Sequence, residues 1–161
     1  MNQEHRNQQY LAARAWLDPY AAEYPSPDPF SYLMEKAHTL LSIDGEAITI
    51  QDGTLDALVK LAEVWGSLRR WASRKYDMST HEIDGFLFEL FQTKNLEYGD
   101  SFATQGPIGC IIRLCDKTRR CVTIAHKSDV KHESLKDSVL DAINYCVLSA
   151  LLLIEYRGQP F

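Results

Sequence analysis

The sequence predicts one all-α domain spanning residues 1–161, a helical bundle of about five to six helices with at most one short extended segment. Two observations lead to this prediction. Apolar residues recur at helical spacing over most of the chain after residue 54, and segments containing proline or glycine separate those stretches. The 161 residues, 45% of them hydrophobic, are also enough to bury one core without a disulfide or a structural metal.

The N-terminal third divides at a proline-rich segment, YPSPDPF, residues 24–30. Its three prolines exclude a helix and separate one helix of about 3–22 from a second of about 30–42. We expect residues 1–43 to form an N-terminal helical arm that is accessory to the core. In residues 43–53, IDGEAITIQDG, the alternation of apolar and polar residues could form a short strand or an extended turn.

The helical core is expected at residues 54–156, with its motif region at 80–156. Thr54 can cap the first helix, and Ser79 with Glu82 forms a capping-box pattern before the second. A loop with glycine, 98–109, precedes the third helix, and a polar turn precedes the fourth. We expect these helices at about 54–75, 79–95, 109–122 and 131–156.

Charge and hydropathy exclude several classes of protein. The formal charge of −5 argues against a protein that mainly coats nucleic acid, because that task requires an excess of Lys and Arg. The first ten residues lack the layout of a secretory signal, so we expect no export. The longest apolar run, Tyr145 to Ile154, is about half the length of a membrane span and indicates a core helix. A soluble cytoplasmic protein is the expectation.

The four cysteines have no spacing typical of a zinc site. Without export they should remain reduced, and we expect buried thiols rather than a metal centre formed with His126 and His132. They are Cys110, Cys115, Cys121 and Cys146.

The segment GCIIRLCDKTRRC carries a charged helical face. At 100° per residue, four of its charged residues share a sector about 100° wide and the apolar residues lie opposite. Arg offers a bidentate fork for phosphate, Lys a point charge, and Asp can orient the cations or reach a metal. The alternative is a solvated face with ion pairs between successive turns. The four charged residues of this sector are Arg113, Asp116, Lys117 and Arg120.

The last helix begins with an acidic stripe, Glu133, Asp137 and Asp141, with Asn144 beside it. Like charges four residues apart repel, so a divalent metal or the Arg/Lys face should lie opposite. The alternative is that Glu133 and Asp137 only favour the helix N-terminus electrostatically, although Asp141 lies too far along for that explanation.

A polar cluster and a glycine-containing loop precede the charged helix. Gly99 allows the preceding helix to end, and Gly106 and Gly109 could let backbone amides approach a phosphate. A helix-end loop is the simpler explanation of the cluster. Its residues are Lys94, Asn95, Glu97, Tyr98 and Asp100.

Three of these segments, KNLEYGDSF, RLCDKTRR and ESLKDSVLDAINY, together resemble the nucleotide modification associated domain 1 family. That family's pattern is a KN-x-D-Y-G stretch, an R-x-x-D-K-x-x-R helix and a final E-S-x-x-D-x-x-x-D helix. The match in order and spacing covers residues 80–156, and Glu97 stands where the family has Asp. The family is in turn distantly similar to MazG-like all-α nucleotide pyrophosphohydrolases, although their E-x-x-E metal-binding pair has no clear counterpart here.

The resemblance implies nucleotide handling. The leading hypothesis is a Mg²⁺- or Mn²⁺-dependent enzyme that hydrolyses a phosphoanhydride of a (deoxy)nucleotide. The expected metal ligands are Glu97, Glu133, Asp137 and Asp141. The expected substrate-binding residues are Lys94, Asn95, Tyr98, Arg113, Lys117 and Arg120. The expected catalytic residues are Glu97, Asp116, Lys117 and Arg113. Phage origin and a homo-oligomer with its site near the interface follow only by analogy with these families.

Two alternatives from other classes remain. The same pocket could hold a nucleotide without turning it over, as a sequestering or accessory module. The charged stripes could instead be interhelical salt bridges in a helical protein-interaction domain. In that case the functional surface would be the aromatic residues of the N-terminal arm, Trp16, Tyr20, Tyr24 and Phe30.

Overall fold

A computed structural model describes residues 2–127 and 132–157, and the side chains of these residues except 132–134 and 157. The described residues form six α-helices and one two-stranded antiparallel hairpin, which confirms the all-α bundle. The helices are α1 Gln3–Leu17, α2 Phe30–His38, α3 Thr54–Tyr76, α4 Thr80–Tyr98, α5 Gly106–Ala125 and α6 His132–Arg157. The strands are β1 Leu41–Asp44 and β2 Ala47–Ile50, so the expected extended segment is this hairpin.

Helix α6 is the centre of the bundle. It packs most extensively against α5 and also against α3 and α1. Its apolar residues from Val139 to Ile154 are buried on nearly every side, as the all-round apolar pattern predicted. By length and composition the stretch Leu135–Tyr156 could span a membrane, but most of it is buried inside the bundle. It is therefore the core helix of the bundle.

The predicted N-terminal helix is present as α1, and its buried stripe makes it part of the core. It ends at Leu17, earlier than the sequence suggested, and its stripe of Tyr10, Ala13 and Leu17 is at most 1% exposed. These three residues recur at helical spacing and pack into the same cluster as α3, α4 and α6. A bundle without α1 would expose this part of the core to water.

The aromatic residues proposed as an interaction surface are mostly not exposed. Phe30 is buried against Trp71, with ring centroids 4.8 Å apart, and Tyr24 stacks on Tyr32 at 4.0 Å. Trp16 is half-buried, whereas Tyr20 is 39% exposed. The proline-rich segment thus holds its aromatic rings against α2 and α3.

The predicted helix caps are partly confirmed. The Ser79 Oγ accepts a hydrogen bond from the Glu82 backbone N–H at 3.0 Å, and the Glu82 carboxylate accepts from the Ser79 N–H at 3.4 Å. This is the predicted capping box. Thr54, however, is the first residue of α3, and Gly53 occupies the cap position without a side-chain hydrogen bond.

All four cysteines are buried and reduced, as expected. Burial raises the pKa of the Cys115 thiol to about 11 and the pKa values of the Cys110 and Cys121 thiols to about 12. The pKa of Cys146 is raised further for the same reason. These thiols are therefore neutral and act as small core residues.

Candidate functional site

A cleft of about 220 Å³ lies where α4, α5 and α6 meet. Each helix contributes residues that recur at three- or four-residue intervals, so one face of each helix borders the cleft. The lining from α4 is Phe91, Lys94, Asn95 and Tyr98, and that from the following loop is Gly99, Ser101 and Phe102. The lining from α5 is Arg113 and Lys117, and that from α6 is Asp141, Asn144, Tyr145 and Leu148. Five of the six predicted substrate-binding residues thus border one cavity.

The cleft carries more positive than negative charge. Its lining contains Lys94, Arg113 and Lys117, and Asp141 is the carboxylate among the lining residues. The Lys117 Nζ lies 3.0 Å from the Asp141 Oδ2, which confirms that the acidic stripe of α6 meets the Arg/Lys face at this point. Among the residues that the structure describes, Lys94 and Arg113 have no ion-pair partner. The cleft is locally cationic in a chain whose formal charge is −5.

Aromatic rings form the remaining walls. Phe91 and Phe102 meet edge to face, with ring centroids 5.7 Å apart, at the inner side. Tyr98 is 68% exposed and stands at the rim. A planar ring that enters the cleft would therefore meet apolar and aromatic surfaces beside cations.

A second, more open groove of about 550 Å³ continues from the cleft along α5. The two share Arg113, Lys117 and Tyr145, and the groove adds Asp116, Arg119, Arg120 and Thr123. The Arg120 Nε donates to the Ser138 Oγ on α6 at 3.1 Å, which holds this cation along the groove. Arg120, the sixth predicted substrate-binding residue, therefore borders the groove rather than the cleft.

Arg6 on α1 supports the cleft, a role that no pattern in the sequence indicated. Its Nη1 lies 2.8 Å from the Glu155 carboxylate and its Nε lies 3.1 Å from Asp100. Its guanidinium also lies 5.3 Å from the centre of the Phe102 ring. Burial alone would lower the pKa of Arg6, but the hydrogen bond to Glu155 and the ion pair with Asp100 outweigh this effect and raise it. Arg6 thus ties α1 and α6 to the loop that forms one wall of the cleft.

Two further contacts from α1 orient the amide side chains of the cleft. The Tyr10 hydroxyl donates to the Asn144 Oδ1 at 2.6 Å, and the Tyr10 ring stacks on Phe91 at 4.5 Å. Burial raises the pKa of Tyr10, so its hydroxyl stays protonated as a donor. The Asn95 Nδ2 donates to the Gln3 Oε1 at 2.9 Å. Both amides are therefore fixed by α1.

The predicted metal ligands are not gathered in the cleft. Asp141 lines it, whereas Glu97 and Asp137 are exposed and do not border it. The side chain of Glu133 lies outside the described residues. Within the described part of the chain, no group of three or more His, Cys, Asp or Glu side chains is placed to hold a metal ion.

Gly99 ends α4, whereas Gly106 and Gly109 lie against neighbouring side chains. Gly99 has φ 62° at the end of α4, a backbone conformation that favours glycine. A Cβ at Gly109 would lie 2.6 Å from the Gln105 side chain, and one at Gly106 would touch the Tyr156 ring at 3.6 Å. The Gly109 N–H already donates to the Gln105 carbonyl at 3.3 Å. Neither Gly106 nor Gly109 borders the cleft.

Comparison with known proteins does not identify a family for this chain. No protein-family model matches the chain. No curated protein matches it either, and no solved structure does. The function is therefore inferred from the cleft.

Proposed function

We propose that the cleft binds a nucleotide or a nucleotide-like phosphorylated small molecule. The observation that carries this proposal is the pair of cations, Lys94 and Arg113, that have no described ion-pair partner and stand beside aromatic walls. Cations without protein partners in an acidic chain lower the free energy of a bound anion. The aromatic walls suit a flat heterocycle. One cavity therefore offers cations for the phosphate of a nucleotide and aromatic rings for its base.

The phosphate end of the ligand is assigned to the α5 side. Arg113 can offer a bidentate fork, and Lys117 can offer a point charge that is partly neutralised by Asp141 at 3.0 Å. Arg120 in the adjoining groove extends the cationic face by another turn. A ligand with more than one phosphate could therefore lie along α5.

The heterocycle is assigned to the α4 side. Tyr98 at the rim and Tyr145, which borders both cavities, are the rings against which a base could stack. The cleft alone is smaller than the roughly 300–1,000 Å³ of typical ligand pockets. Together with the groove of about 550 Å³ it has room for a nucleotide.

The reaction that we propose for this ligand is Mg²⁺-dependent hydrolysis of a phosphoanhydride, as the resemblance implies. The described side chains do not fit a metal centre made of three or more protein ligands. The other common arrangement, in which Mg²⁺ is held by one or two carboxylates together with substrate phosphates, requires fewer protein ligands. Asp141 in the cleft and Asp116 in the groove would be those carboxylates. A bound Mg²⁺ would polarise the phosphate and activate water.

Binding without turnover is the second candidate. It is favoured by the positions of Glu97 and Asp137, which are exposed and do not border the cleft. A sequestering module needs the cations and aromatic walls but no set of metal-binding carboxylates. The resemblance also suggests a homo-oligomer. The N-terminal sequence suggests a cytoplasmic location, which is the host cytoplasm if the chain is phage-encoded.

A thermal-shift screen tests the proposal. Nucleoside mono-, di- and triphosphates are compared with and without Mg²⁺, and any ligand that raises the melting temperature is then assayed for pyrophosphate or phosphate release. A shift of several degrees is expected for at least one nucleotide, because a ligand that binds the folded state stabilises it. If none of these nucleotides shifts the melting temperature, the proposal is wrong, and a protein-interaction role becomes the better explanation.

Two matched variants separate the two candidates. Asp141→Asn removes the carboxylate in the cleft, whereas Asp137→Asn changes an exposed residue one helical turn away. For a Mg²⁺-dependent hydrolase, Asp141→Asn should lower turnover at least about tenfold. For a binding module, Asp141→Asn should keep or raise nucleotide affinity because it removes a negative charge. A loss of turnover in Asp137→Asn would restore that residue to the metal site.

A further inference from the structure

The orientation of the Asn95 amide follows from a chain of hydrogen bonds that begins at a backbone carbonyl. The Gln3 side chain lies 3.3 Å from the Gln92 carbonyl oxygen, which can only accept. The Gln3 Nε2 must therefore face Gln92, and it also donates to the Asn7 Oδ1 at 3.1 Å. The Gln3 Oε1 is then an acceptor, and the group that donates to it at 2.9 Å must be the Asn95 Nδ2.

This orientation leaves the Asn95 Oδ1 as an unused acceptor. Asn95 is 6% exposed and lines the cleft, and its Oδ1 has no hydrogen-bond partner among the described residues. A buried acceptor without a donor is unfavourable, and rotation of the Asn95 amide would break its 2.9 Å hydrogen bond to Gln3. The other end of the same amide is already held by α1.

We infer that the Asn95 Oδ1 accepts a hydrogen bond from an N–H or O–H group of the ligand, so that Asn95 is a specificity-determining residue of the cleft. This inference rests on the proposed function and deepens it. It also narrows the substrate-binding role expected for Asn95 from the sequence, because it excludes a phosphate contact. A phosphate oxygen and a fixed amide oxygen are both acceptors, so a phosphate belongs with Arg113 and Lys117 instead.

Two parts of a nucleotide can supply the donor. A ribose or deoxyribose hydroxyl is one, and a base N–H is the other. The shared requirement is a hydrogen-bond donor within reach of Asn95 while the phosphate lies on the α5 side. A ligand without that donor leaves the acceptor buried and unpaired, and it should bind about 10- to 100-fold more weakly.

The test uses calorimetry on the full chain with AMP, GMP, CMP and UMP and the corresponding triphosphates. For the tightest of these, affinity is measured for its 2′-deoxy and 3′-deoxy forms and for forms methylated at each base nitrogen that carries hydrogen. We expect one of these changes, and not the others, to weaken binding about 10- to 100-fold. A sugar analogue identifies a hydroxyl as the donor, and a base analogue identifies an N–H.

Three variants assign that preference to Asn95. Asn95→Leu removes the acceptor, and Gln3→Met frees the amide to rotate. In both variants, the ratio of the affinity for the nucleotide to the affinity for the analogue that lacks the donor should fall to about twofold or less. Gln3 does not line the cleft, so Gln3→Met changes only the orientation of the Asn95 amide. It therefore tests the inference even if Asn95→Leu fails to fold. The control is Asn7→Leu, since Asn7 is buried in the same chain of hydrogen bonds but the Gln92 carbonyl still fixes Gln3. That variant should keep the ratio.

The outcomes separate this inference from the proposed function. If a nucleotide binds but every analogue binds equally well, the inference is wrong and the proposed function stands. The inference is also wrong, and the proposed function again stands, if the analogue ratio is unchanged in both Asn95→Leu and Gln3→Met. If no nucleotide binds, both are wrong.

Discussion

Charged residues are used differently at the cleft and along α3. Ion pairs join α3 to its surroundings, and one of them is bidentate, between Arg69 and Asp84 at 2.9 and 2.8 Å. At the cleft, Lys94 and Arg113 have no ion-pair partner among the described residues. The pairs along α3 are Lys60 with Asp52, Lys36 with Glu63, Arg69 with Asp84 and Arg74 with Glu23.

This difference indicates where charge serves the fold and where it is available to a ligand. A paired cation gains little from another anion, because its own carboxylate already neutralises it. An unpaired cation repels its cationic neighbours until an anion binds. The pairs along α3 should therefore matter for the stability of the protein, and the cleft cations should matter for binding.

The largest expected effect comes from Arg6, a paired cation beneath the cleft. Arg6→Met would leave the Asp100 and Glu155 carboxylates without their cation, and the Arg6 side chain is 6% exposed. Loss of a buried ion-pair partner costs roughly 3–5 kcal/mol, and the carboxylates are 29% and 28% exposed, so about 2–3 kcal/mol is expected. Urea unfolding measures this change in the free energy of unfolding.

Arg74→Met is the matched control. Arg74 pairs with Glu23 on the surface, and its side chain is 58% exposed. Exposed pairs contribute little, so the free energy of unfolding should change by less than about 0.5 kcal/mol. Equal unfolding midpoints for Arg6→Met and the unchanged protein would contradict the supporting role of Arg6.

Most of the fold could be predicted because its signals are local. Helical spacing of apolar residues placed α3 to α6 within a few residues of their observed ends, and the Ser79–Glu82 pattern marked the start of α4. The burial of α1 was missed because its buried apolar stripe, Tyr10, Ala13 and Leu17, is short and follows the polar run from Gln3 to Gln9. Its position depends on tertiary packing that periodicity does not encode.

The candidate site was predictable where its residues share helix faces. Lys94, Asn95 and Tyr98 fall within about 100° on α4, whereas Glu97 lies about 110° from the centre of that face. The helical angle alone could therefore have removed Glu97 from the cleft. Arg6 could not have been found in this way, because its partner Glu155 is 149 residues away in the chain. Such a contact exists only once α1 packs against α6.

A second prediction compares the loss of one cation at the cleft with the loss of one cation on α3. Arg113→Ala should weaken nucleotide binding about 10- to 100-fold, since a charge-assisted bidentate contact with phosphate is lost. It should leave the melting temperature of the ligand-free protein within about one degree, because Arg113 has no described ion-pair partner. Calorimetric titration and thermal unfolding measure the two effects on one sample.

Arg69→Ala should show the opposite pattern. It removes the bidentate contact with Asp84, which joins α3 to α4, and the stacking of the guanidinium on Trp65 at 4.0 Å within α3. The free energy of unfolding should fall by about 1–3 kcal/mol, while nucleotide affinity stays within about twofold. If Arg113→Ala lowered stability as much as Arg69→Ala did, the distinction between paired and available cations would be lost.

The smallest effect concerns two lysines. Lys94 is exposed at the rim of the cleft, so Lys94→Ala should weaken nucleotide binding only about threefold, because solvent screens an exposed charge. Lys60→Ala breaks the pair with Asp52 at 2.6 Å and should leave affinity unchanged. The two variants lower the net charge equally, so a general effect of charge would weaken binding in both. Titrations at low and high salt complete the test, since the deficit of Lys94→Ala should shrink as salt rises whereas Lys60→Ala should follow the unchanged protein throughout.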